Sequence, residues 1–433
     1  MKLKKVLIPA VLFISVINFQ SSAKAQLSEA KSGSIYSFFG VGQPVDIESS
    51  AFKGYGGFGL SNVNQEMFGL QNPGLWGFVQ YTQAISGADL STYKTQTTSQ
   101  NGGSTNFEAT KLHVLFPIKN GKLGLSLALF PVTRSSFDIV NTGTFEAEGE
   151  EIIYANELTS YGGVNKFEAG LGFRLTNNIS IGYAPSVAFL SLSSTENFSF
   201  TSGLFSSHSQ VTKYSGAAFA QRFGLAAKFR SFLRRGDQIS FGATYSLPYQ
   251  IGTNATLTTD KTYNSTNETI DLSEQLYAES GDVQMPMEFG AGLGYAPSRY
   301  VNFNAEMQVQ QWGNYSNALV DDSGYQLTDR TRFGFGGQYH PYKRGLDTFF
   351  SSFKYSAGLS YDTGHLVVQN ENISTLWINT GLGILSRGLS SIDLSLRYGF
   401  RGTTNSNLIE ERIWSLGVSV NLAEVMFIRP KLR

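Results

Sequence analysis

The amino-acid sequence predicts an all-β protein, a transmembrane antiparallel β-barrel of about 14 strands with an N-terminal plug, or hatch, in its lumen. Three observations predict this fold. Segments of about ten residues alternate apolar and polar side chains, which is the length and period of a tilted membrane strand. Tight turns and long polar connections follow each other along the chain. The composition, with 46 Gly, 33 Phe and 21 Tyr in 433 residues, favours strands and turns.

The first 25 residues have the pattern of a secretory signal peptide. Lys2, Lys4 and Lys5 form a basic start, Val6–Phe19 is apolar, and a small-x-small pattern ends at Ala25. We therefore expect cleavage after Ala25 and export to the outer membrane of a diderm bacterium. A single-pass anchor is the weaker alternative, because the apolar run is shorter than the roughly 20 residues that a spanning helix needs.

Charge and cysteine content exclude several classes of protein. The chain has 33 Lys and Arg against 33 Asp and Glu, so it offers no basic surface for nucleic acid. It has no cysteine, and its four histidines show no metal-ligand spacing. We expect no metal, no cofactor and no enzymatic activity.

Alternation of side chains predicts which strand faces meet lipid. Within residues 122–130 all four leucines share one face, and Gly, Ser and Ala share the other. Residues 301–310 and 391–401 alternate in the same way, with charged side chains on one face only. Alternation alone does not separate a lipid-facing surface from a protein core. The charged and glycine-rich opposite faces favour a lumen with contents of its own.

Connection lengths predict the two ends of the barrel. Short turns belong at the inner, periplasmic end, and long connections belong at the outer end. About six turns and seven loops join about 14 strands, an even number as single-chain bacterial barrels require. The expected outer loops are residues 86–106, 133–164, 191–212, 248–284, 313–327, 363–372 and 402–410.

Residues 26–74 precede the first expected strand and lack clean alternation, while glycines punctuate them. Irregular backbone cannot face hydrocarbon, because unsatisfied polar groups there are costly. A plug inside the barrel satisfies this constraint, and the segment is too apolar for the alternative, a solvated periplasmic tail. The chain therefore divides into a signal peptide (1–25), a plug (26–74) and a barrel (75–433).

Glycine-rich motifs occur near both ends of the chain. Gly54-Tyr-Gly-Gly-Phe-Gly-Leu60 precedes Met67-Phe-Gly-Leu-Gln-Asn-Pro-Gly74, and Arg330–Tyr339 and Ser391–Gly399 lie in the C-terminal part. With these motifs in this order, the chain resembles the long-chain fatty-acid transporter (FadL-type) superfamily. Gly74 stands where the family has alanine in an Asn-Pro-Ala element, and residues 425–432 resemble an uncharacterised branch of the superfamily.

The resemblance implies transport of small hydrophobic molecules, such as long-chain fatty acids or aromatic hydrocarbons. Capture at the outer loops would precede passage beside the plug and lateral release through a wall opening beside a kinked strand. The alternative is a non-transporting barrel that scaffolds or shuttles secreted proteins. The expected partners are outer-membrane lipids, a hydrophobic substrate and the barrel-insertion machinery, which would read the last strand, and the chain is expected to be a monomer.

Three sets of residues are candidates for these roles. The ligand path is assigned to Phe58, Met67, Phe68 and Leu70 of the plug and to Leu204 and Phe205 of an outer loop, with simple packing as the alternative. Headgroup contacts are assigned to Arg174, Arg222, Arg332 and Arg397, with ion pairing as the alternative. Asn72, Pro73 and Gly74 form the expected turn from plug to barrel. We also expect a bulge or bend at Pro185 and a short amphipathic helix in residues 268–278.

Overall fold

The structure, a computed structural model, describes residues 33–63, 69–98, 101–147, 149–203, 205–263, 266, 268–272, 277–319, 325–341, 349–386 and 390–424. The expected signal peptide and its cleavage site lie outside the described residues. So do the candidate residues Met67, Phe68 and Leu204.

Fourteen antiparallel strands close into a single barrel, which confirms the predicted fold class. Each strand pairs with the next, and the last pairs with the first from Thr82 opposite Glu424 to Gln96 opposite Glu410. In chain order the strands are β1 (Thr82–Gln96), β2 (Asn101–Lys119), β3 (Leu123–Pro131 and Thr133–Ala147), β4 (Glu150–Arg174), β5 (Ile179–Phe200), β6 (Ser206–Arg230), β7 (Gln238–Ser246 and Tyr249–Tyr263), β8 (Glu268–Asp271, Tyr277–Met285 and Glu288–Ser298), β9 (Val301–Gln310), β10 (Arg330–Tyr339), β11 (Phe353–Asp362), β12 (Thr375–Leu385), β13 (Ser391–Arg401) and β14 (Glu410–Glu424).

The remaining elements are short. Among the described residues, none of the helices is long and apolar enough to cross a membrane. Outside the barrel ladder lie the 3-10 helices Ile35–Phe38, Pro73–Phe78, Trp312–Asn314, Phe349–Ser352 and Asn405–Asn407, the α-helix Ser50–Lys53, the strands Gln43–Pro44 and Ser316–Asn317, and a small sheet of Tyr325–Leu327, Leu366–Val368 and Glu371–Asn372.

The strands present their two faces as the alternation predicts. On β3, Leu127 and Leu129 are 37% and 45% exposed on the outside, whereas Ser126 and Ala128 are buried inside. Large apolar side chains are exposed in the same way on every strand from β2 to β14. A soluble protein rarely exposes so extensive an apolar surface, so this band faces hydrocarbon.

Strands β3 to β8 continue far beyond the length that a membrane requires. β4 and β6 have 25 residues each and β5 has 22, whereas a tilted membrane strand needs about 9–11. The expected outer loops at 133–164 and 191–212, and much of those at 86–106 and 248–284, are therefore strands. Their pairing extends to Ala147 opposite Glu150. Polar side chains on both faces hide the period-two pattern, which is why the sequence suggested loops.

The outer parts of β3 to β8 form one sheet that stands above the barrel, here called the projecting sheet (residues 133–163, 190–200, 206–216, 249–263 and the described part of 268–285). The expected helix at 268–278 is wrong. Glu268–Asp271 is a strand that pairs with residues 260–263, and Tyr277 begins a further strand. Ile270 and Leu272 are two residues apart, which suits a strand better than a helix.

Residues 33–63 and 69–79, here called the N-terminal segment, run inside the barrel from its outer end to its inner end. Ser34 lies beside Glu411 at the start of β14, and the 3-10 helix Pro73–Phe78 lies against the inner ends of β4 to β6. The expected boundary after Gly74 is therefore too early. Leu75, Trp76 and Phe78 are fully buried against the wall, and the first strand begins at Thr82.

Candidate functional site

The N-terminal segment lies directly on glycines of the barrel wall. Gly182 on β5 faces the backbone of Pro73, and Gly242 on β7 faces that of Leu60. A Cβ atom on either glycine would collide with these main-chain atoms, so the two backbones leave no gap for a solute. The wall glycines that contact the segment in this way are Gly124, Gly172, Gly182, Gly224, Gly242, Gly334, Gly336, Gly358 and Gly381, on strands β3 to β7 and β10 to β12.

Glu306 on β9 fixes the glycine-rich part of the segment. Its Oε2 accepts hydrogen bonds from the N–H groups of Phe58 and Gly59 at 2.5 and 2.9 Å. Its Oε1 accepts from those of Leu60 and Ser61 at 2.9 Å each, and from the Ser61 hydroxyl at 2.8 Å. Gly59 has a φ of +79°, which few other residues adopt, and this helps the successive N–H groups to converge. Hydrogen bonds to an ionised carboxylate are roughly twice as strong as neutral ones.

Asn72 joins the segment to itself and to the wall. Its Oδ1 accepts from the N–H of Gly74 at 2.9 Å, which caps the 3-10 helix that begins at Pro73. Its Nδ2 donates to the carbonyl oxygens of Leu60 at 2.7 Å and of Leu225 on β6 at 3.0 Å. The structure thus places the expected turn residues at the point where the segment contacts the inner end of the wall.

A cluster of arginines from the wall binds two carboxylates of the segment. Asp46 lies 3.0 Å from Arg332, 3.3 Å from Arg397 and 3.5 Å from Arg330. Glu48 lies 3.0 Å from Arg332. The three arginines come from β10 and β13, and all are buried. Buried ions need partners, and here the segment supplies them.

Other ionic contacts fill the rest of the lumen. Lys53 of the segment pairs with Asp89 on β1, and Glu168 on β4 pairs with Arg222 on β6. At the outer end, the Ser34 hydroxyl donates to the carboxylate of Glu411 at 2.8 and 2.9 Å. The lumen is therefore closed by polar contacts along much of its length.

The cavities between segment and wall are small and polar. One of about 100 Å³ lies near the outer end, and one of about 60 Å³ lies on the opposite side of the segment. A wider pocket of about 400 Å³ lies at the inner mouth. Charged side chains line all three: Lys53, Asp89, Glu108 and Arg134 in the first, Lys166, Glu168, Arg222 and Glu288 in the second, and Arg230, Asp237 and Arg299 in the third.

The candidate ligand-path residues that the structure describes are packed. Phe58 is buried beneath the guanidinium of Arg332, at 4.3 Å from its ring centroid. Leu70 belongs to an apolar cluster with Leu75 and Trp76. At the top of the projecting sheet, the ring of Phe205 packs against Phe145 and Phe200, each with centroids 5.4 Å apart. These contacts match the packing alternative.

The candidate headgroup arginines are divided between two locations. Arg222, Arg332 and Arg397 lie in the lumen, where carboxylates of the protein already hold them. Arg174 lies at the inner end of β4, half-buried and apart from these pairs. The sequence alone assigns no role to Asp46 and does not connect Glu306 with the Gly54–Leu60 motif. The signal that could have connected them is a carboxylate on the lumen-facing side of a strand together with a glycine-rich run in the plug.

A seam interrupts the wall between the outer parts of β2 and β3. β2 pairs with β3 only through residues 112–119, and β3 contains one extra residue between Pro131 and Ser135, where its register to β4 shifts. The N-terminal segment fills the lower part of this seam: Gln43 and Pro44 pair with Arg134 and Thr133. Pro185 causes no bulge, because the register of its strand to β4 and β6 is unchanged, although the pairing with β4 is interrupted between Ser186 and Tyr183.

Comparisons with known proteins agree with this architecture. The BamG family model matches residues 3–433. A search of the curated proteins finds no match. The solved structure of a FadL homologue from Pseudomonas aeruginosa has a TM-score of 0.56 at 12% identity, covering 87% of this chain and 97% of that chain.

Two toluene transporters have similar structures. TbuX of Ralstonia pickettii has a TM-score of 0.54 at 13% identity, with coverage of 86% of this chain and 97% of its own. TodX of Pseudomonas putida has a TM-score of 0.53 at 14% identity, with coverage of 89% and 98%. At these identities the likeness concerns the fold, and it confirms the FadL-type barrel with its plug.

Proposed function

Since this chain belongs to the BamG family and has the FadL-type fold of an outer-membrane barrel, we propose that it is a closed barrel that scaffolds other proteins and does not conduct solutes. One observation carries the proposal. The backbone of the N-terminal segment lies on wall glycines of eight strands, so a solute cannot pass without displacing it.

The chemistry of the lumen supports the same proposal. A hydrophobic molecule gains about 25 cal/mol for each Å² of apolar surface that it removes from water. The described cavities offer it mostly charged and polar walls, and a cavity of about 60 Å³ holds water more readily than a hydrocarbon. The arginines that would bind a carboxylate headgroup are occupied by Asp46, Glu48 and Glu168.

The second candidate function is transport of small hydrophobic molecules, such as long-chain fatty acids or aromatic hydrocarbons, with lateral release. Two observations favour it: the likeness in fold to toluene transporters, and the seam beside the register shift in β3. This mechanism requires the N-terminal segment to leave its place at Thr133 and Arg134.

A deletion strain distinguishes the two functions. Uptake of radiolabelled oleate and toluene is measured with and without the gene, and solubilised wild-type membranes are run on a native gel. A scaffold predicts unchanged uptake and migration of the barrel in a complex larger than the monomer. Uptake that falls in the deletion strain and returns with the gene, together with a barrel that migrates alone, would establish transport.

Three further proposals concern the mature protein. We propose cleavage after Ala25, so N-terminal sequencing of the membrane protein should begin at Gln26. We propose that the barrel-insertion machinery reads β14, the last strand. We also propose that the purified barrel is itself a monomer, which light scattering in detergent measures directly.

A further inference from the structure

The projecting sheet ends in an unpaired strand edge. One edge of β3 pairs with β4 from Ser135 to Ala147. On the other edge, the backbone hydrogen bonds and pairings of the described chain reach only residues 132–136, and the ring of Phe38 packs against that of Phe137. Residues 137–147 therefore leave a run of backbone N–H and C=O groups without a strand beside them in the described part of the chain. Natural edges of this length are usually blunted by Lys, Pro or a bulge, and residues 137–147 contain neither Lys nor Pro.

The inner end of this edge already accepts an added strand. Gln43 pairs with Arg134, and the Gly33 N–H donates to the Ser136 carbonyl oxygen at 2.9 Å. The N–H and C=O groups of even-numbered residues therefore point into the seam, because both groups of one strand residue face the same neighbour. By the same alternation, the backbone groups of Val140 and Thr142 face the seam above.

The strand hairpin that carries this edge is acidic. Its exposed acidic residues include Asp138, Glu146, Glu150 and Glu151, whereas Arg134 is the one basic residue among the described residues of 133–163. Arg134 lies 3.8 Å from Glu108 of β2, so its charge is already matched. A segment added to this edge would be attracted if it carried Lys or Arg.

We propose that residues 137–147 of β3 bind an extended, basic segment of a partner protein by strand addition. The main-chain ladder would provide affinity, and the acidic hairpin would select the charge of the partner. The length of the edge, 11 residues, exceeds that of a typical strand and accommodates a full partner strand. The inference rests on the proposed scaffold function, because it identifies where and how a partner would bind.

The test uses the mature protein in lipid nanodiscs and a labelled 11-residue peptide that alternates Lys with Val. Two matched peptides carry Glu in place of Lys, or Pro at alternate positions to prevent strand pairing. We expect the Lys peptide to bind at least tenfold more tightly than either matched peptide, and its affinity to fall as salt is raised. Equal affinity for the Lys and Pro peptides would reduce the site to a charged surface and overturn the proposal.

Variants of the edge locate the binding. Thr142→Pro removes an N–H that faces the seam, at a strand edge where Pro is tolerated. It should weaken the binding of the Lys peptide at least tenfold. Thr142→Val keeps that N–H and should bind as the wild type does. Glu146→Lys with Glu150→Lys should weaken the binding of the Lys peptide and strengthen the binding of the Glu peptide. A heat-modifiable gel shift verifies that each variant is folded.

Failure of this inference is distinct from failure of the scaffold function. No binding of the Lys peptide, or no effect of Thr142→Pro, would refute strand addition at β3. A photoreactive residue in place of Thr142 that reacts only with residues before Gly33 of the same chain would refute it as well. In either case a barrel that migrates in a large complex, with uptake unchanged in the deletion strain, would retain its scaffold function.

Discussion

The two halves of the N-terminal segment contact the barrel in different ways. The backbone of the inner half, residues 50–63 and 69–79, contacts glycines of the wall, and Glu306 accepts hydrogen bonds from four of its N–H groups. The outer half, residues 33–48, is held by side chains, chiefly Asp46, Glu48 and Ser34, and by a short backbone pairing with residues 132–136 of β3. A steric fit of two backbones tolerates no added atom, whereas ion pairs and hydroxyl groups can exchange partners. We therefore expect the inner half to be held more firmly than the outer half.

The strongest test of the inner half adds one methyl group to the wall. Gly242→Ala places a Cβ against the carbonyl oxygen of Leu60, and should lower the free energy of unfolding by about 3 kcal/mol or more. Displacement of the segment should also expose Lys53, which is buried, to trypsin. The matched control is Gly252→Ala on the same strand, where no atom lies within 4 Å of the added Cβ. Equal stability of the two variants would refute the steric account.

The next largest effect should come from Glu306→Gln. The amide keeps the size of the side chain but removes its charge and turns an NH₂ group toward the N–H donors of the segment. Leaving buried donors without an acceptor should cost about 2 kcal/mol, measured by urea unfolding in micelles. Glu410→Gln, at an exposed ion pair with Arg412, is the control and should change stability little. A larger loss in the control would contradict the role of Glu306.

Asp46→Asn should affect the outer half alone. The substitution deprives three arginines of a shared carboxylate, which should lower the free energy of opening the outer half by about 1.5 kcal/mol. The outer half should therefore open roughly ten times more often. Because the chain has no cysteine, single-cysteine variants report this opening cleanly. Maleimide labelling of Ser37→Cys should accelerate, whereas that of Ser50→Cys in the inner half should not. Equal acceleration at both positions would mean that the halves move together.

The smallest expected effect concerns the outer end of the segment. Ser34→Ala removes the hydroxyl proton that the two oxygens of the buried Glu411 carboxylate share, and should lower stability by about 1 kcal/mol. Ser199→Ala on the exposed part of β5 is the control, since its hydroxyl makes one long contact of 3.4 Å. An unchanged midpoint in Ser34→Ala would show that Arg401 and the Ile35 N–H satisfy Glu411 without the hydroxyl.

The sequence predicted the barrel because each strand of its membrane part has one polar face toward the lumen and one apolar face toward lipid. Leu127 and Leu129 stand out against Ser126 and Ala128 for that reason. Above the membrane this contrast weakens, since polar side chains occur on both faces of the projecting sheet, and strands there resembled loops. The second glycine-rich motif ends at Gly74, yet the wall contacts of the segment continue to Phe78.

The contacts inside the lumen were harder to predict than the faces of the strands. Asp46 pairs with Arg332 and Arg397, which are distant in sequence, and only the closed barrel brings them together. The Gly54–Leu60 motif was visible as a run of glycines. Its acceptor, Glu306, was visible as a charged residue on the lumen-facing side of β9. Periodicity does not show, however, which residues of a plug lie beside which residues of the wall.

The central claim is that the N-terminal segment stays in place while the protein functions, and a reversible lock tests it most directly. The Ser37 hydroxyl lies 3.1 Å from both the carbonyl oxygen and the nitrogen of Ser136, so Ser37→Cys with Ser136→Cys brings one thiol against the backbone of the other cysteine, and disulfide formation is tested on this pair. The disulfide is followed by its faster migration on a non-reducing gel, and each single variant is a control. We predict that the locked protein complements the deletion strain as fully as the wild type does. Complementation lost on oxidation and restored by a reductant would show that the segment must move, and would contradict the account.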